Sequence, residues 1–141
     1  MQSDRPATSP DTTKRIFIVQ PMIGRSGDQI RLIRQIIKDH YEPRGWEVQD
    51  SYVKGQNARS KNKRLWLFGR ELQTIADCDA VFFAPSAQSY ISGMDAHRLC
   101  EVHGINIIEY EDVPEIAGAL ARMEKDITEF NALNETLTQL H

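Results

Sequence analysis

Residues 20–28 combine several groups that bind phosphate in proteins. Gly24 and Gly27 permit a tight turn in which backbone amides converge, and Arg25 adds a fixed positive charge. Asp28 is placed to cap a following helix, and the N-terminus of a helix attracts anions. The candidate phosphate ligands of this turn are Gln20, Gly24, Arg25, Ser26, Gly27 and Asp28. Gly, Ser and Asp are also common in ordinary strand–helix turns, so a purely structural turn remains the alternative.

Two further segments could contribute to the same ligand site. Residues 50–64 carry five cations and residues 85–95 form a serine-rich turn. The candidate ligands in these segments are Asp50, Ser86, Ser92 and Gly93. The basic segment either closes over a phosphorylated ligand or is an inert surface loop. It lacks the interleaved aromatic residues that favour nucleic-acid binding, so a nucleic-acid partner is not expected.

The sequence favours a small phosphorylated ligand over metal or nucleophile chemistry. His97 and His103 lie six residues apart on one predicted helix and point in different directions, so they do not form a metal-binding pair. A GxSxG nucleophile motif is also missing from the sequence. We therefore expect no metal ion and no cofactor, and a nucleotide or nucleoside as the bound molecule.

Alternating strands and helices must position these segments. Strands are predicted near residues 16–19, 46–53, 80–84 and 105–108, and helices over 30–42, 65–76 and 94–103. This order predicts an α/β fold, a Rossmann-like or flavodoxin-like three-layer sandwich with a short parallel sheet and a long C-terminal helix. Residues 1–13 are expected to form a disordered tail, followed by a nucleotide-binding domain over 14–112. Ligands of such sheets bind beyond the carboxyl ends of the strands, where all three candidate segments lie.

The C-terminal segment, residues 113–141, has a different pattern. A seven-residue repeat relates Val113, Leu120 and Ile127, and a second one relates Ile116, Met123, Phe130 and Leu137. Pro114 fits the first turn of a helix. A helix of roughly 25 residues is longer than one sheet face requires. We therefore expect residues 113–140 to pack on another subunit, with folding back over the same sheet as the alternative.

Composition limits the class of protein. The chain has 141 residues, 40% of them hydrophobic, which is enough for one core, and its net charge of -3 disfavours a protein that coats nucleic acid. Cys78 and Cys100 form no CxxC pair, which favours a reducing compartment. The sequence shows neither a signal peptide nor a transmembrane pattern, so a cytoplasmic protein without a membrane partner is expected.

Several motifs, in their order along the chain, resemble the nucleoside 2-deoxyribosyltransferase-like superfamily. They are Gln20-Pro-Met-x-Gly24, Val48-x-Asp50-Ser51, Lys61-Asn-Lys-x-Leu-Trp66, Ala76-Asp-x-Asp-Ala-Val81 with Phe83-Ala-Pro85, and a Ser92-Gly93 turn leading to His97 and Gly104-Ile105. The similarity covers residues 15–110 and is to a small branch of the superfamily. The turn Gly24-Arg-Ser-Gly-Asp28 is similar to the phosphate loop of deoxynucleoside-monophosphate N-glycosidases.

The resemblance implies a flavodoxin-like, usually oligomeric domain that cleaves or transfers the N-glycosidic bond of a deoxynucleoside or its monophosphate. Enzymes of the family use a Glu near the start of the helix after the third strand, as a nucleophile or as a stabiliser of positive charge at C1′. This chain has Ala96 at that position, and Asp95 is the substitute carboxylate. One place along a helix turns a side chain by about 100°, so Asp95 points in a different direction from a side chain at position 96. Two hypotheses follow: an N-glycosidase or deoxyribosyltransferase with Asp95 as catalytic residue, or an inactive protein that binds a nucleotide or nucleotide-derived signal in the same pocket.

Overall fold

The computed structural model describes residues 13–21, 25–49 and 61–139 and contains one parallel sheet of four strands. The strands are β1 (Lys14–Val19), β2 (Trp46–Gln49), β3 (Ala80–Phe83) and β4 (Asn106–Glu109). Their order in the sheet is β2-β1-β3-β4, and every neighbouring pair is parallel. The predicted α/β class with a short parallel sheet is confirmed.

Four α-helices connect or follow the strands. They are α1 (Gly27–Tyr41), α2 (Lys63–Ile75), α3 (Ile91–Val102) and α4 (Pro114–Gln139). Short 3-10 helices occupy Glu42–Arg44, Ala87–Ser89 and Tyr110–Asp112. The long C-terminal helix begins at Pro114 as predicted, because proline fits the first turn, where no intrahelical N–H bond is lost.

The sheet is covered on both faces, which gives the predicted three-layer sandwich. Successive residues of a strand point to opposite faces. Ile16 and Ile18 therefore pack with residues of α1 and α4, whereas Phe17 and Val19 pack with residues of α2 and α3. All four side chains are almost completely buried, which explains why β1 reads as a continuous apolar run.

Two local predictions require correction. Asp28 was expected to cap α1, but the N-cap is Ser26: its Oγ accepts from the Gln29 amide, and the Gln29 side chain accepts from the Ser26 amide. Gly27 is the first residue of the helix and is not a turn residue with positive φ. This reciprocal capping box satisfies two amides that the first helical turn leaves unpaired, which Asp28 cannot do from within that turn.

Helix α3 also starts earlier than its sequence pattern indicates. It begins at Ile91, three residues before the predicted Met94, because the serine-rich turn ends in a compact 3-10 helix. Its end is as predicted: Gly104 adopts φ +69°, a left-handed conformation that glycine tolerates. Within the described part of the chain, no helix is long and apolar enough to cross a membrane.

Candidate functional site

The strand order creates a crevice between the carboxyl ends of β1 and β3. The chain leaves β1 toward β2 on one side and later returns to β3 on the other, so the loops after β1 and β3 diverge. Such a switch point is where open parallel sheets bind ligands. The described walls of this crevice are residues 20–21 and 25–26 after β1, and residues 84–90 after β3.

Two side-chain hydrogen bonds tie the two walls of the crevice together. The Tyr90 hydroxyl donates to the carbonyl of Gln20 over 3.2 Å. Arg25 Nη2 donates to the carbonyl of Pro85, also over 3.2 Å. The predicted segments 20–28 and 85–95 are therefore neighbours in space. These bonds fix the spacing of the crevice, and Arg25, a predicted phosphate ligand, is a structural bridge as well.

Gln20 is the buried polar residue of the crevice. Its side chain is only 2% exposed, and neither Oε1 nor Nε2 has a hydrogen-bond partner among the described residues. A buried polar group without a partner costs about 1–3 kcal/mol. Gln20 can both donate and accept, so it suits a ligand that offers a hydroxyl or an amide.

Ser86 lies on the second wall of the crevice, in the loop after β3. It adopts φ 65° and ψ 11°, the one left-handed non-glycine residue in the described segments. Its carbonyl accepts from the hydroxyl of Ser89 over 2.7 Å, which closes the 3-10 turn. A non-glycine residue in this region costs roughly 1–2 kcal/mol, and such strain is concentrated at functional sites. The exposed Ser86 side chain remains available to a ligand.

The other predicted ligands take different positions. Asp28 is exposed and pairs with Arg31, and Ser92 is partly buried at the start of α3. Gly93 is buried, and a Cβ placed there would lie 1.7 Å from the Ala87 carbonyl oxygen. The close approach of α3 to the 3-10 turn therefore requires glycine at this position. Gly24 and Asp50 lie outside the described residues.

Asp95 and Ala96, the two positions on α3 where a catalytic carboxylate is considered, differ in burial. Ala96 is 1% exposed and packs among apolar residues of the α2 and α3 face of the sheet. Asp95 is exposed to solvent. An acid at position 96 would enter this core, whereas Asp95 is hydrated, and the two positions are therefore not equivalent.

A second carboxyl group, which the sequence patterns did not indicate, lies near the crevice. Burial raises the pKa of Glu71, on α2, to about 7. Burial, and secondarily the charge of Glu71, raises the pKa of Tyr90 to about 12. Glu71 is therefore a close neighbour of the tyrosine whose hydroxyl bonds to Gln20. The sequence contains no sign of this burial, because an acid in an amphipathic helix is normally expected on its solvent-exposed side.

His97 and Glu109 form a second pair that spacing alone could not reveal. His97 Nε2 lies 2.8 Å from Glu109 Oε2, and its ring packs edge-on against Phe83 with a centroid separation of 4.8 Å. Gln88 Nε2 donates to the other Glu109 oxygen over 3.4 Å. Glu109, at the carboxyl end of β4, thus contacts both His97 of α3 and Gln88 of the second wall. These contacts help to hold the second wall in place.

An open groove of 410 Å³ lies on another part of the surface. Its lining combines both charge signs and consists of Arg15, Glu47, Gln49, Arg70, Gln73, Thr74, Asp77 and Cys78. Arg15 is already paired with Glu47 over 3.1 Å, and Arg70 donates to Gln73. The two arginines of the lining are balanced in number by Glu47 and Asp77, so the groove has no net positive charge for an anion, and the crevice is the better candidate site.

No protein-family model, curated protein or solved structure matches this chain.

Proposed function

We propose that the crevice between β1 and β3 binds a deoxynucleoside or its monophosphate and cleaves or transfers its N-glycosidic bond. The observation that carries the proposal is the buried side chain of Gln20, which lies in the crevice without a partner among the described residues, together with Glu71, whose pKa burial raises to about 7 and whose charge acts on Tyr90. At neutral pH the carboxyl group of Glu71 is present in both protonated and ionised forms. It can therefore supply a proton and later recover one, as general acid–base catalysis requires.

The wall after β1 suits the phosphate or sugar of this ligand. The start of α1 carries a positive partial charge, and Arg25 adds a full positive charge at the same place. The unpartnered amide of Gln20 and the hydroxyl of Ser86 are complementary to sugar hydroxyls. These features support a polar ligand with an anionic end.

The proposed reaction uses two carboxyl groups. The C1′–N bond breaks with both electrons moving to the base, and the proton of Glu71 neutralises the leaving nitrogen. The second carboxyl group is that of Asp95, which is exposed near the start of α3; catalysis requires it to reach the ligand from there and to stabilise the positive charge that develops at C1′. Water, or a ring N–H of an acceptor base, then attacks C1′, and the proton that it loses goes to Glu71. The chemistry balances without a metal ion or cofactor.

The second candidate function is a nucleotide-binding protein without catalysis. Burial of Ala96 favours it, because the carboxylate that the family resemblance leads us to expect at this position is replaced by an apolar contact. In this case Glu71 would contribute a polar group to ligand binding and would not transfer a proton.

Product analysis separates the two functions. Purified protein is incubated with each deoxynucleoside and deoxynucleoside monophosphate between pH 5 and pH 8, and free base is measured by chromatography. We expect base release by wild type and a loss of at least about a hundredfold in Glu71→Gln. The matched control is Glu135→Gln, an exposed acid on α4, which should retain wild-type rates. Thermal stabilisation by the same compounds without base release would instead support the binding protein.

The assembly and location are part of the same proposal. Residues 113–140 are proposed to hold a homo-oligomer together, supported by exposed Phe130 and Leu133 on α4. A cytoplasmic location is proposed because Cys78 and Cys100 are both free thiols.

A further inference from the structure

A groove between α1 and α4 lies beside the crevice and shares Arg25 with it. The groove has a volume of 260 Å³, and its lining consists of Arg25, Gln29, Met123, Glu124, Ile127 and Thr128. The same Arg25 donates to the carbonyl of Pro85, on the second wall of the crevice, over 3.2 Å. A single half-buried side chain therefore lies between two spaces that a ligand could occupy.

The lining of the α1–α4 groove suits an uncharged ring system. Met123 is buried and Ile127 is partly buried, so together they form an apolar floor. Glu124 and Thr128 are exposed and provide polar groups at the rim. In the described lining the charge of Glu124 balances that of Arg25, so the groove itself has no net charge for an anion. A base with its sugar has this combination of apolar faces and polar edges, whereas a phosphate does not.

The size of the α1–α4 groove indicates that it would hold only part of a ligand. Pockets that take a whole drug-sized molecule usually measure about 300–1,000 Å³. The groove, at 260 Å³, is smaller than this range. It therefore has the dimensions of a subsite for one portion of a larger molecule, and the crevice on the other side of Arg25 can take the remainder.

Positive charge is concentrated where the two spaces meet. Arg25 directly precedes Ser26, the N-cap of α1, so its full charge adds to the positive partial charge of the helix start. Asp28, the acid in the first turn, pairs with Arg31, which offsets its negative charge. Phosphate groups bind to such positions. An anion at Arg25 would have the crevice on one side and the α1–α4 groove on the other.

We propose that this site binds a diphosphate that joins two nucleosides, with one nucleoside in the crevice, the other in the α1–α4 groove and the diphosphate at Arg25. The inference rests on the proposed function, which puts a nucleoside in the crevice and its phosphate at Arg25. A deoxynucleoside monophosphate would occupy the crevice and leave the groove unused. A diphosphate linkage carries a second nucleoside on its far side, where the apolar floor and polar rim of the groove lie.

Isothermal titration calorimetry with three ligands of the same base tests each part of this molecule. The ligands are a deoxynucleoside 5′-monophosphate, the corresponding 5′-diphosphate and the symmetric 5′,5′-dinucleoside diphosphate, and the series is repeated for each base. The 5′-diphosphate separates the effect of the second phosphate from that of the second nucleoside. We expect the dinucleoside diphosphate to bind at least about tenfold more tightly than the 5′-diphosphate, the gain from burying roughly 50 Å² of apolar ring surface.

Thr128→Trp fills the α1–α4 groove with a bulky side chain and tests whether the second nucleoside binds there. Thr128 is exposed on α4, so the substitution does not disturb the core. The variant should lose the roughly tenfold gain of the dinucleoside diphosphate and keep the wild-type affinity for the monophosphate, which also shows that it is folded. The matched control is Thr136→Trp, exposed on the same helix but outside the lining of the groove, which should bind all the ligands as wild type does.

Equal affinities of wild type for the 5′-diphosphate and the dinucleoside diphosphate would overturn the inference. A gain that Thr128→Trp retains, or that Thr136→Trp also loses, would overturn it as well, because the second nucleoside would then bind outside the groove. In each of these cases binding of the monophosphate, with base release, leaves the proposed function of the crevice intact. If none of the ligands binds at millimolar concentration, the inference and the nucleotide site of the proposed function are both wrong.

Discussion

Replacement of Glu71 by Gln should change the pH dependence of stability in a defined direction. Burial raises the pKa of Glu71 from the model-compound value of 4.5 to about 7. The folded state therefore holds the proton more tightly than the unfolded chain. Below pH 4.5 the group is neutral in both states. As the pH rises toward 7, ionisation stabilises the unfolded chain first, and wild type loses stability.

The shift sets the magnitude of this effect. A difference between 4.5 and about 7 corresponds to at most about 3–4 kcal/mol of unfolding free energy. Glu71 retains some contact with solvent, which reduces the expected value to roughly 1–2 kcal/mol. Gln is similar in shape and never ionises. We therefore expect Glu71→Gln to be more stable than wild type at pH 8 by this amount, and by clearly less at pH 5, where ionisation of the unfolded chain has only begun to destabilise wild type.

Urea unfolding followed by circular dichroism, at intervals between pH 5 and pH 8, measures this difference. Glu135→Gln removes an equivalent charge from an exposed position and should differ from wild type by less than about 0.5 kcal/mol throughout. A difference between Glu71→Gln and wild type that stays constant from pH 5 to pH 8 would refute the assignment of a raised pKa. It would also remove the main support for Glu71 as the acid–base residue.

Two further predictions concern the second wall of the crevice. Gly93→Ala should destabilise the fold by roughly 2–4 kcal/mol in urea unfolding, because its Cβ would lie 1.7 Å from the Ala87 carbonyl oxygen. Gly69→Ala, with no atom within 4 Å of the added Cβ, should instead stabilise α2 by up to about 1 kcal/mol, and equal effects would contradict the close approach. Ser86→Gly should raise stability by about 1 kcal/mol, because it relieves a left-handed φ of 65°. The same variant should weaken nucleotide binding in calorimetry, and unchanged affinity would make Ser86 a turn residue only.

The predictions from sequence succeeded where one physical pattern dominated a segment. The apolar runs at Ile16–Val19 and Ala80–Phe83 predicted central strands, because a strand buried on both faces has no polar side. The helix boundaries were less accurate. Ser26 and Asp28 are both good capping residues, and only the reciprocal bonds of Ser26 with Gln29 decide between them.

The candidate site was only partly predictable for a different reason. Gln20, Arg25 and Ser86 follow strands directly, so the rule for parallel sheets places them at one edge. Glu71 lies in the middle of a helix and is significant because folding buries its carboxyl group, whose charge also acts on Tyr90, nineteen positions later. The pairing of His97 with Glu109 likewise depends on how α3 lies against β4.

The sequence by itself determined the α/β class, the parallel sheet and the long C-terminal helix, since each follows from hydrophobic periodicity that acts within one segment. Tertiary structure alone decided which polar groups lose their water. Burial of Gln20 and Glu71, and the apolar surroundings of Ala96, arise from contacts between segments far apart in the chain. Desolvation depends on these neighbours and not on residue type, which is why the crevice acquires its chemistry only when the sheet is assembled.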